Sequence, residues 1–324
     1  MTIRTPICDM LGIRYPILLA GMGGVSYADL CAAVSEAGGF GTLGMAGRTP
    51  EDIRAEMRKV RAKTKKPFGV DLLAAIPESL EQTADIIIEE GASAFISGLG
   101  IPPPHLVKKF HDAGLKVMNV CGTVRHAKAG EAGGLDAVVA QGTEAGGHTG
   151  RIAGMALIPQ IVDAVKIPVL AAGSIVDGRG LAAALALGAQ GVWMGTRFIA
   201  ATEANSGAAY RDAVLTASDE DTIVTRCYSG KPMRVKKNPY VADWEKRPHE
   251  IKPFPQQLMA SAQADVMRAL GGQHDKLDPD KTAFAMGQGA GTIREVQPAA
   301  EIIRGIMEEA EAVIGRMAKL TKAQ

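Results

Sequence analysis

Two consecutive segments decide the fold of this chain: Pro168-Val-Leu-Ala-Ala-Gly-Ser174 and Gly191-Val-Trp-Met-Gly-Thr196. Each starts with a short apolar run, which predicts a buried strand, and each ends in a glycine turn. A helical pattern over residues 180–187 separates the two segments. A strand, a helix and a second strand in this order are typical of a βα unit in a parallel sheet.

The same alternation extends back nearly to the beginning of the sequence. Eight apolar runs are strand candidates: residues 16–20, 40–43, 67–72, 92–96, 116–120, 136–140, 168–171 and 191–194. Helical patterns lie at residues 27–37, 50–62, 77–90, 104–113, 126–132, 157–165 and 180–187. Glycine turns stand where four of the helices should end, at residues 37–39, 90–92, 113–115 and 187–189. Glycine in that place predicts a left-handed helix cap.

Eight βα units favour an α/β fold of the TIM-barrel type, (β/α)8, whose active site lies at the carboxyl ends of the strands. The rival fold is a doubly wound sheet, which expects a GxGxxG motif after the first strand. The turn Ala20-Gly-Met-Gly-Gly24 does not fit that motif well, and the main glycine turns come late in the chain. The barrel is therefore the preferred architecture.

The pattern changes after Ala201. Residues 202–280 are polar, contain several prolines and look irregular, with a basic segment at residues 231–237 and a helical stretch near residues 255–270. A glycine-rich run at 287–291 and an amphipathic helix from Ala299 to about Leu320 follow. We therefore expect a TIM barrel made of residues 1–201 and 281–324, with residues 202–280 forming a cap on the substrate side. The sequence leaves two roles open for this cap, closure over a substrate or formation of a homodimer.

Composition excludes several classes of protein. The net charge of the 324 residues is +1, so no overall field attracts nucleic acid or an acidic membrane surface. The four cysteines show no CxxC spacing, which argues against a disulfide framework and against a metal site. No apolar run approaches the roughly 18 residues that a membrane span needs. The start of the chain lacks the apolar region of a signal peptide, so we expect a cytoplasmic enzyme acting on a small molecule.

The candidate chemistry lies in the run Gln141-Gly-Thr-Glu-Ala-Gly-Gly-His148. His148 stands in a glycine-rich loop after an apolar run, and histidine is the side chain best suited to acid or base work near neutral pH. The turns at 173–174 and 195–196 follow the last two strands, where this fold often binds phosphate. Two plainer interpretations compete, since His148 could be a loop histidine bonded to backbone and the turns could be simple connections.

Several of these runs are similar to the nitronate monooxygenase (2-nitropropane dioxygenase) family. They are residues 142–148, 171–178 and 194–198, together with 21–26, 37–39 and 67–70 in the first half of the chain. The resemblance spans roughly residues 10–200 and resumes at 287–291. It implies a TIM barrel that binds FMN without a covalent bond and oxidises alkyl nitronates with oxygen to a carbonyl compound and nitrite.

The resemblance also assigns roles to residues. Gly21 and Met22 would face the flavin ring, Gln141 the ring or the ribityl chain, and His148 would be the catalytic acid or base. Gly173, Ser174, Gly195 and Thr196 would hold the phosphate. The remaining expected cofactor-binding residues are Gly23, Asp71, Gly146, Gly147 and Ala172.

One position departs from the family's pattern. The family usually carries Asn after Phe-Gly-Val, where this chain has Asp71. An ionised carboxylate there would disfavour negative charge on the reduced flavin. Asp71 could equally be a helix N-terminal residue or a salt-bridge partner.

Two other functions remain open. The same motifs occur in flavin-dependent enoyl-acyl carrier protein reductases and in NADH:quinone reductases. In those enzymes NAD(P)H is a co-substrate, and His148 would donate the proton to an enoyl thioester or quinone. The basic run at 226–237 would then bind the phosphates of NAD(P)H or coenzyme A, or it is simply a solvated surface. The third possibility is a phosphate-binding barrel without flavin.

Overall fold

A computed structural model describes residues 3–75 and 77–320 of the chain. Its strands are β1 (Ile17–Leu19), β2 (Gly41–Gly44), β3 (Phe68–Leu73), β4 (Ala94–Gly98), β5 (Lys116–Cys121), β6 (Ala137–Gln141), β7 (Gly147–His148), β8 (Val169–Ala172), β9 (Gly191–Met194), β10 (Thr222–Thr225) and β11 (Met233–Lys236). The helices of the first half are α1 (Pro6–Leu11), α2 (Ala28–Glu36), α3 (Pro50–Lys63), α4 (Pro77–Glu89), α5 (Pro104–Asp112) and α6 (Val124–Ala132). The second half adds α7 (Gly154–Ala164), α8 (Gly178–Ala186), α9 (Thr196–Ile199), α10 (Ala208–Leu215), α11 (Pro239–Trp244), α12 (Gln256–Gln263) and α13 (Ala299–Leu320).

Eight parallel strands form the barrel in the order β1-β9-β8-β6-β5-β4-β3-β2. Phe40, the residue before β2, closes the barrel by hydrogen bonds to β1. Leu19 donates its backbone N–H to the carbonyl of Phe40 at 2.9 Å, and Phe40 donates to the carbonyl of Ile17 at 2.9 Å. The predicted (β/α)8 barrel is confirmed.

Alternate residues of the strands divide the core into an inside and an outside. The barrel interior is filled by Leu18, Phe40, Ile96, Met118, Val139, Leu170 and Trp193. Helix α1, which the sequence did not predict, packs Ile7, Cys8 and Leu11 against this interior cluster. The other strand faces pack against the surrounding helices in two further clusters. Filling the barrel with side chains leaves the ends of the strands as the place for chemistry.

Local signals start and end the outer helices. Thr49, Thr123 and Asp177 each accept a hydrogen bond from a backbone N–H in the first turn of α3, α6 and α8, at 3.2, 3.2 and 3.0 Å. Such caps satisfy donors that a helix leaves free at its N-terminus. The four predicted glycine turns are confirmed, because each contains a glycine at positive φ: Gly38, Gly91, Gly114 and Gly188.

The segment after Ala201 is more regular than its sequence indicated. Strands β10 and β11 form an antiparallel hairpin, and β7 from the loop after β6 adds to it as a third strand. The basic segment is therefore mostly strand β11. The predicted helix at 255–270 is α12, which ends at Gln263, followed by a 3-10 turn at Arg268–Gly271. The division of the chain at residues 202 and 280 stays a prediction.

The C-terminal helix returns to the barrel as expected. Ile302, Ile303 and Ile306 of α13 are buried in the outer core that also contains Leu181 of α8. Gly178 at the start of α8 donates its N–H to the Glu309 carboxylate at 2.7 Å. Within the described part of the chain, no helix combines the length and the apolar character needed to cross a membrane.

Candidate active site

The predicted site residues all follow barrel strands at their carboxyl ends. Gly21, Met22 and Gly23 follow β1, and Asp71 lies in the second half of β3. Gln141 is the last residue of β6, and the loop after β6 contains Gly146, Gly147 and His148. Ala172 is the last residue of β8 and is followed by Gly173 and Ser174, while Gly195 and Thr196 follow β9. Since the carboxyl ends of parallel barrel strands open at one mouth, these residues gather around that mouth. Their individual roles stay predictions.

Glycines at one side of the mouth leave no space for side chains. A methyl group built at Gly21 would overlap the side chain of Asp71, and one at Gly195 would lie 3.2 Å from the sulfur of Met22. A hydrogen bond holds the Met22 backbone in place, because its N–H donates to the hydroxyl of Ser26 at 2.7 Å. Backbone and the Met22 thioether thus form this wall, as a flat bound ring would require.

Asp71 is a buried acid in this wall. Asp71 pairs in register with Ile96 of β4, whose side chain points into the barrel interior, so the Asp71 side chain points the same way. Asp71 is 9% exposed. Burial raises the pKa of the Asp71 carboxyl well above its ordinary value. The predicted alternatives are wrong for the described residues, since Asp71 caps no helix there and forms no salt bridge.

The two hydroxyls predicted to bind phosphate hold a returning segment of the chain. Ser174 Oγ donates to the Glu144 carbonyl at 3.0 Å and accepts from Gly289 N–H at 2.9 Å. Thr196 Oγ1 accepts from Gly287 N–H at 3.0 Å. The glycine-rich run at 287–291 therefore closes over the last two strand ends, and its Gly287 and Gly289 amides are already used in these hydrogen bonds.

Gly146 has a packing reason for being glycine. A methyl group there would come within 2.6–2.7 Å of the backbone of Met286 and Gly287. Gly23 is likewise covered by the cap, because a methyl group on it would lie 3.1 Å from the Leu270 carbonyl. Close approach of two backbones explains both residues without a ligand.

His148 is positioned by the cap hairpin. It lies in β7 opposite Met233 of β11, and its Nε2 shares a hydrogen bond with the hydroxyl of Ser229 at 2.8 Å. Gln141 steadies the loop by donating its Nε2–H to the His148 carbonyl at 2.9 Å. Burial, together with the positive charge of Lys231, lowers the pKa of His148 from 6.5 to about 4. The ring is therefore uncharged at neutral pH.

The basic run is only partly a solvated surface. Arg234 is buried, with its guanidinium donating to the Thr143 carbonyl at 3.1 Å and to the Thr222 hydroxyl at 2.9 Å. The ammonium of Lys231 lies 4.5 Å above the ring of Phe254. Arg234 thus links the cap to the loop after β6 and is not available as a phosphate-binding group.

A cavity of about 430 Å³ opens beside this loop. Arg151 and Arg226 line it together with Glu245, which accepts a hydrogen bond from Thr225 at 2.6 Å. Neither arginine forms an ion pair with any residue that the structure describes. The cavity can therefore hold an anionic group close to the loop that carries His148.

Sequence reasoning missed the roles of two of these residues. Ser229 is fully buried and meets His148 across 81 residues of sequence. Glu144 lies in the predicted run, but its role is structural, since its carboxylate accepts the Gly154 N–H at the start of α7 at 3.0 and 3.1 Å. Glu144 was visible as a polar residue in a glycine loop, whereas nothing marked Ser229.

Comparisons with known proteins identify the family of this chain. A family model described as nitronate monooxygenase matches residues 4–309. A probable nitronate monooxygenase of Staphylococcus saprophyticus is 33% identical, with 79% of this chain and 84% of the relative covered. A Mycobacterium tuberculosis protein named (3aS,4S,5R,7aS)-5-hydroxy-7a-methyl-1-oxo-octahydro-1H-indene-4-carboxyl-CoA dehydrogenase is 40% identical, with 72% of this chain and 66% of that protein covered.

Among solved structures, FabK from Thermotoga maritima superimposes with a TM-score of 0.90 at 36% identity, covering 98% of this chain and 100% of that one. The likeness extends over barrel and cap alike. The match to the family model covers nearly the whole chain, including every predicted site residue. This chain belongs to the nitronate monooxygenase family and is an oxidoreductase.

Proposed function

We propose that this protein is an FMN-dependent nitronate monooxygenase that converts alkyl nitronates and oxygen to a carbonyl compound and nitrite. The observation that carries the proposal is an uncharged His148 beside a barrel mouth walled by glycine backbone and Met22. Bound FMN would supply the electron acceptor for this oxidation.

The residues present fit such a cofactor. Gly21, Met22, Gly23 and Gln141 would border the ring, and the unpartnered acid Asp71 faces the same place. Gly146, Gly147 and Ala172 would line the path to the phosphate. Gly173, Ser174, Gly195 and Thr196 would hold the phosphate. Gly21 and Gly195 have no room for a side chain, since an added methyl group would meet Asp71 or the Met22 sulfur.

His148 would act as an uncharged imidazole. With a pKa of about 4, the ring stays uncharged at neutral pH, and its free nitrogen would accept the α-proton of a neutral nitroalkane as a weak base. An imidazolium that holds the nitronate by charge is disfavoured for the same reason. The hydrogen bond to Ser229 keeps the ring oriented while the cap limits access of water.

The first test is the visible spectrum of the purified protein under anaerobic conditions, before and after adding propionate 3-nitronate. We expect flavin bands that change on addition, and nitrite formed once oxygen is admitted. His148→Ala should keep the bands and lose most turnover, whereas His126→Ala on the exposed face of α6 should leave turnover unchanged. Turnover of a neutral nitroalkane within a few fold of wild type in His148→Ala would exclude His148 as the base.

A second candidate is an NAD(P)H-dependent reductase of an enoyl thioester or quinone. Two observations favour it: the arginine-lined cavity beside the His148 loop, and the 40% identical relative whose name specifies a carboxyl-CoA compound. The phosphates of a nucleotide carrier would bind at Arg151 and Arg226. Rapid bleaching of the flavin bands by NADH or NADPH would establish this candidate. A colourless protein that cannot bind added FMN would exclude both.

A further inference from the structure

Asp71 occupies a position where a charge is difficult to keep. Its side chain points toward the barrel interior at the mouth, and it is 9% exposed. Among the residues that the structure describes, none donates a hydrogen bond to its carboxylate, and no Lys, Arg or His pairs with it. A buried carboxylate without such partners is strongly disfavoured relative to its protonated form.

In the described part of the chain, the elements that surround Asp71 present no titratable group to it. The loop after β1 presents Gly21 and Met22, the end of β2 presents Gly44, and the end of β4 presents Gly98, whose added methyl would lie 3.7 Å from Asp71 Oδ1. Burial is the sole cause of the raised pKa of this carboxyl. Its only open side is the mouth, where the cofactor and substrate are proposed to bind.

We propose that Asp71 works as a neutral carboxylic acid that donates its O–H to a carbonyl or oxyanion oxygen bound at the barrel mouth. The identity of the acceptor rests on the proposed function: it is a flavin ring carbonyl or an oxygen of the substrate. A protonated carboxyl group has one donor, which a carboxylate lacks. A carboxylic acid held neutral by an apolar site is a known means of donating to developing negative charge.

This assignment changes what Asp71 does to the reaction. An ionised Asp71 would oppose negative charge on the bound ring or substrate, whereas a neutral Asp71 supports it. An amide at this position would donate as well, but it could not lose its proton. The binding of the acceptor should therefore weaken at high pH in the wild type and stay constant in Asp71→Asn.

Infrared spectroscopy at pH 7 tests the protonation directly, through the C=O stretch of a protonated carboxyl group. We expect this band in the wild type, in the absence of FMN, and its loss in Asp71→Asn. The control is Asp136→Asn, because Asp136 is held ionised by Val117 N–H, His111 and Lys116 at 2.8, 2.8 and 3.1 Å. This control should retain the band. A wild-type spectrum without the band overturns the proposal, whether or not the protein binds FMN.

Ligand addition then identifies the acceptor. A shift of the band to lower frequency with FMN alone assigns the donor to the ring. A shift only when propionate 3-nitronate is added anaerobically to the FMN-loaded protein assigns it to the substrate. A band that neither probe shifts, in protein shown by absorbance to have bound FMN, overturns hydrogen-bond donation while leaving the proposed flavin enzyme intact.

Affinity provides the second readout. If the ring is the acceptor, loss of one hydrogen bond should weaken FMN binding about 2- to 12-fold in Asp71→Ala. Asp71→Asn should bind FMN as the wild type does where the wild-type infrared band is present, and more tightly than the wild type above the pH at which that band disappears. Equal pH dependence of binding in the wild type and Asp71→Asn would contradict the assignment to the ring.

Discussion

Replacing His148 with Gln tests the electrostatic environment of the candidate base through the stability of the protein. The pKa of His148 is 6.5 when the chain is unfolded and about 4 in the folded state, because of burial and the Lys231 charge. Between these values the unfolded chain binds more protons, so the free energy of unfolding decreases as the pH falls. This loss of stability is absent above pH 6.5 and reaches its full size once the pH has fallen through 4.

The size of this effect follows from the two pKa values. At pH 5 the unfolded histidine is almost fully protonated and the folded one is not, which costs about 2 kcal/mol relative to pH 8. The ring is half-buried and water weakens the Lys231 interaction, so we expect about 1 to 2 kcal/mol. The His148→Gln variant should lack this loss, while every other titrating group contributes equally to both proteins.

The assay is urea denaturation of the wild type and His148→Gln at pH 5 and pH 8, followed by circular dichroism. Proton NMR adds a direct measurement, since the chain has six histidines and the variant should lack one ring signal. That signal should titrate near pH 4 in the wild type. Equal losses of stability in both proteins, or a ring signal that titrates near pH 6.5, would refute our account of the site.

Three other substitutions have definite expected outcomes. Gly146→Ala should lower stability by about 1 to 3 kcal/mol and weaken FMN binding, because its methyl group overlaps the backbone at Met286; thermal melting and FMN titration measure the two effects. Gly315→Ala, on the exposed last part of α13, should instead raise stability by about 0.5 to 1 kcal/mol, and no gain would indicate that the helix is frayed there. Asp177→Ala should cost about 1 kcal/mol by removing the cap at Gly180, and Asp177→Asn, which keeps the oxygen, should cost clearly less in the same melting assay.

The cap shows where reasoning from sequence reached its limit. Its polar, proline-containing sequence indicated irregular structure, yet β10 and β11 form a hairpin that pairs with β7. Short strands at a sheet edge are stabilised by their neighbours rather than by their own composition. For the same reason the basic run could not be interpreted alone, since burial of Arg234 depends on Thr143 and Thr222.

The sequence by itself determined the barrel and the list of residues at its mouth. Apolar runs, helix caps and glycine turns are local features, and in a parallel barrel the end of a strand already fixes which side of the molecule a residue reaches. The tertiary structure alone decided the surroundings of two ionisable groups at that mouth. His148 is uncharged because the hairpin buries it beside Lys231 and Ser229, and Asp71 is buried among glycines with no partner among the described residues. Protonation depends on dielectric surroundings and on charges from distant parts of the chain, which no local pattern records.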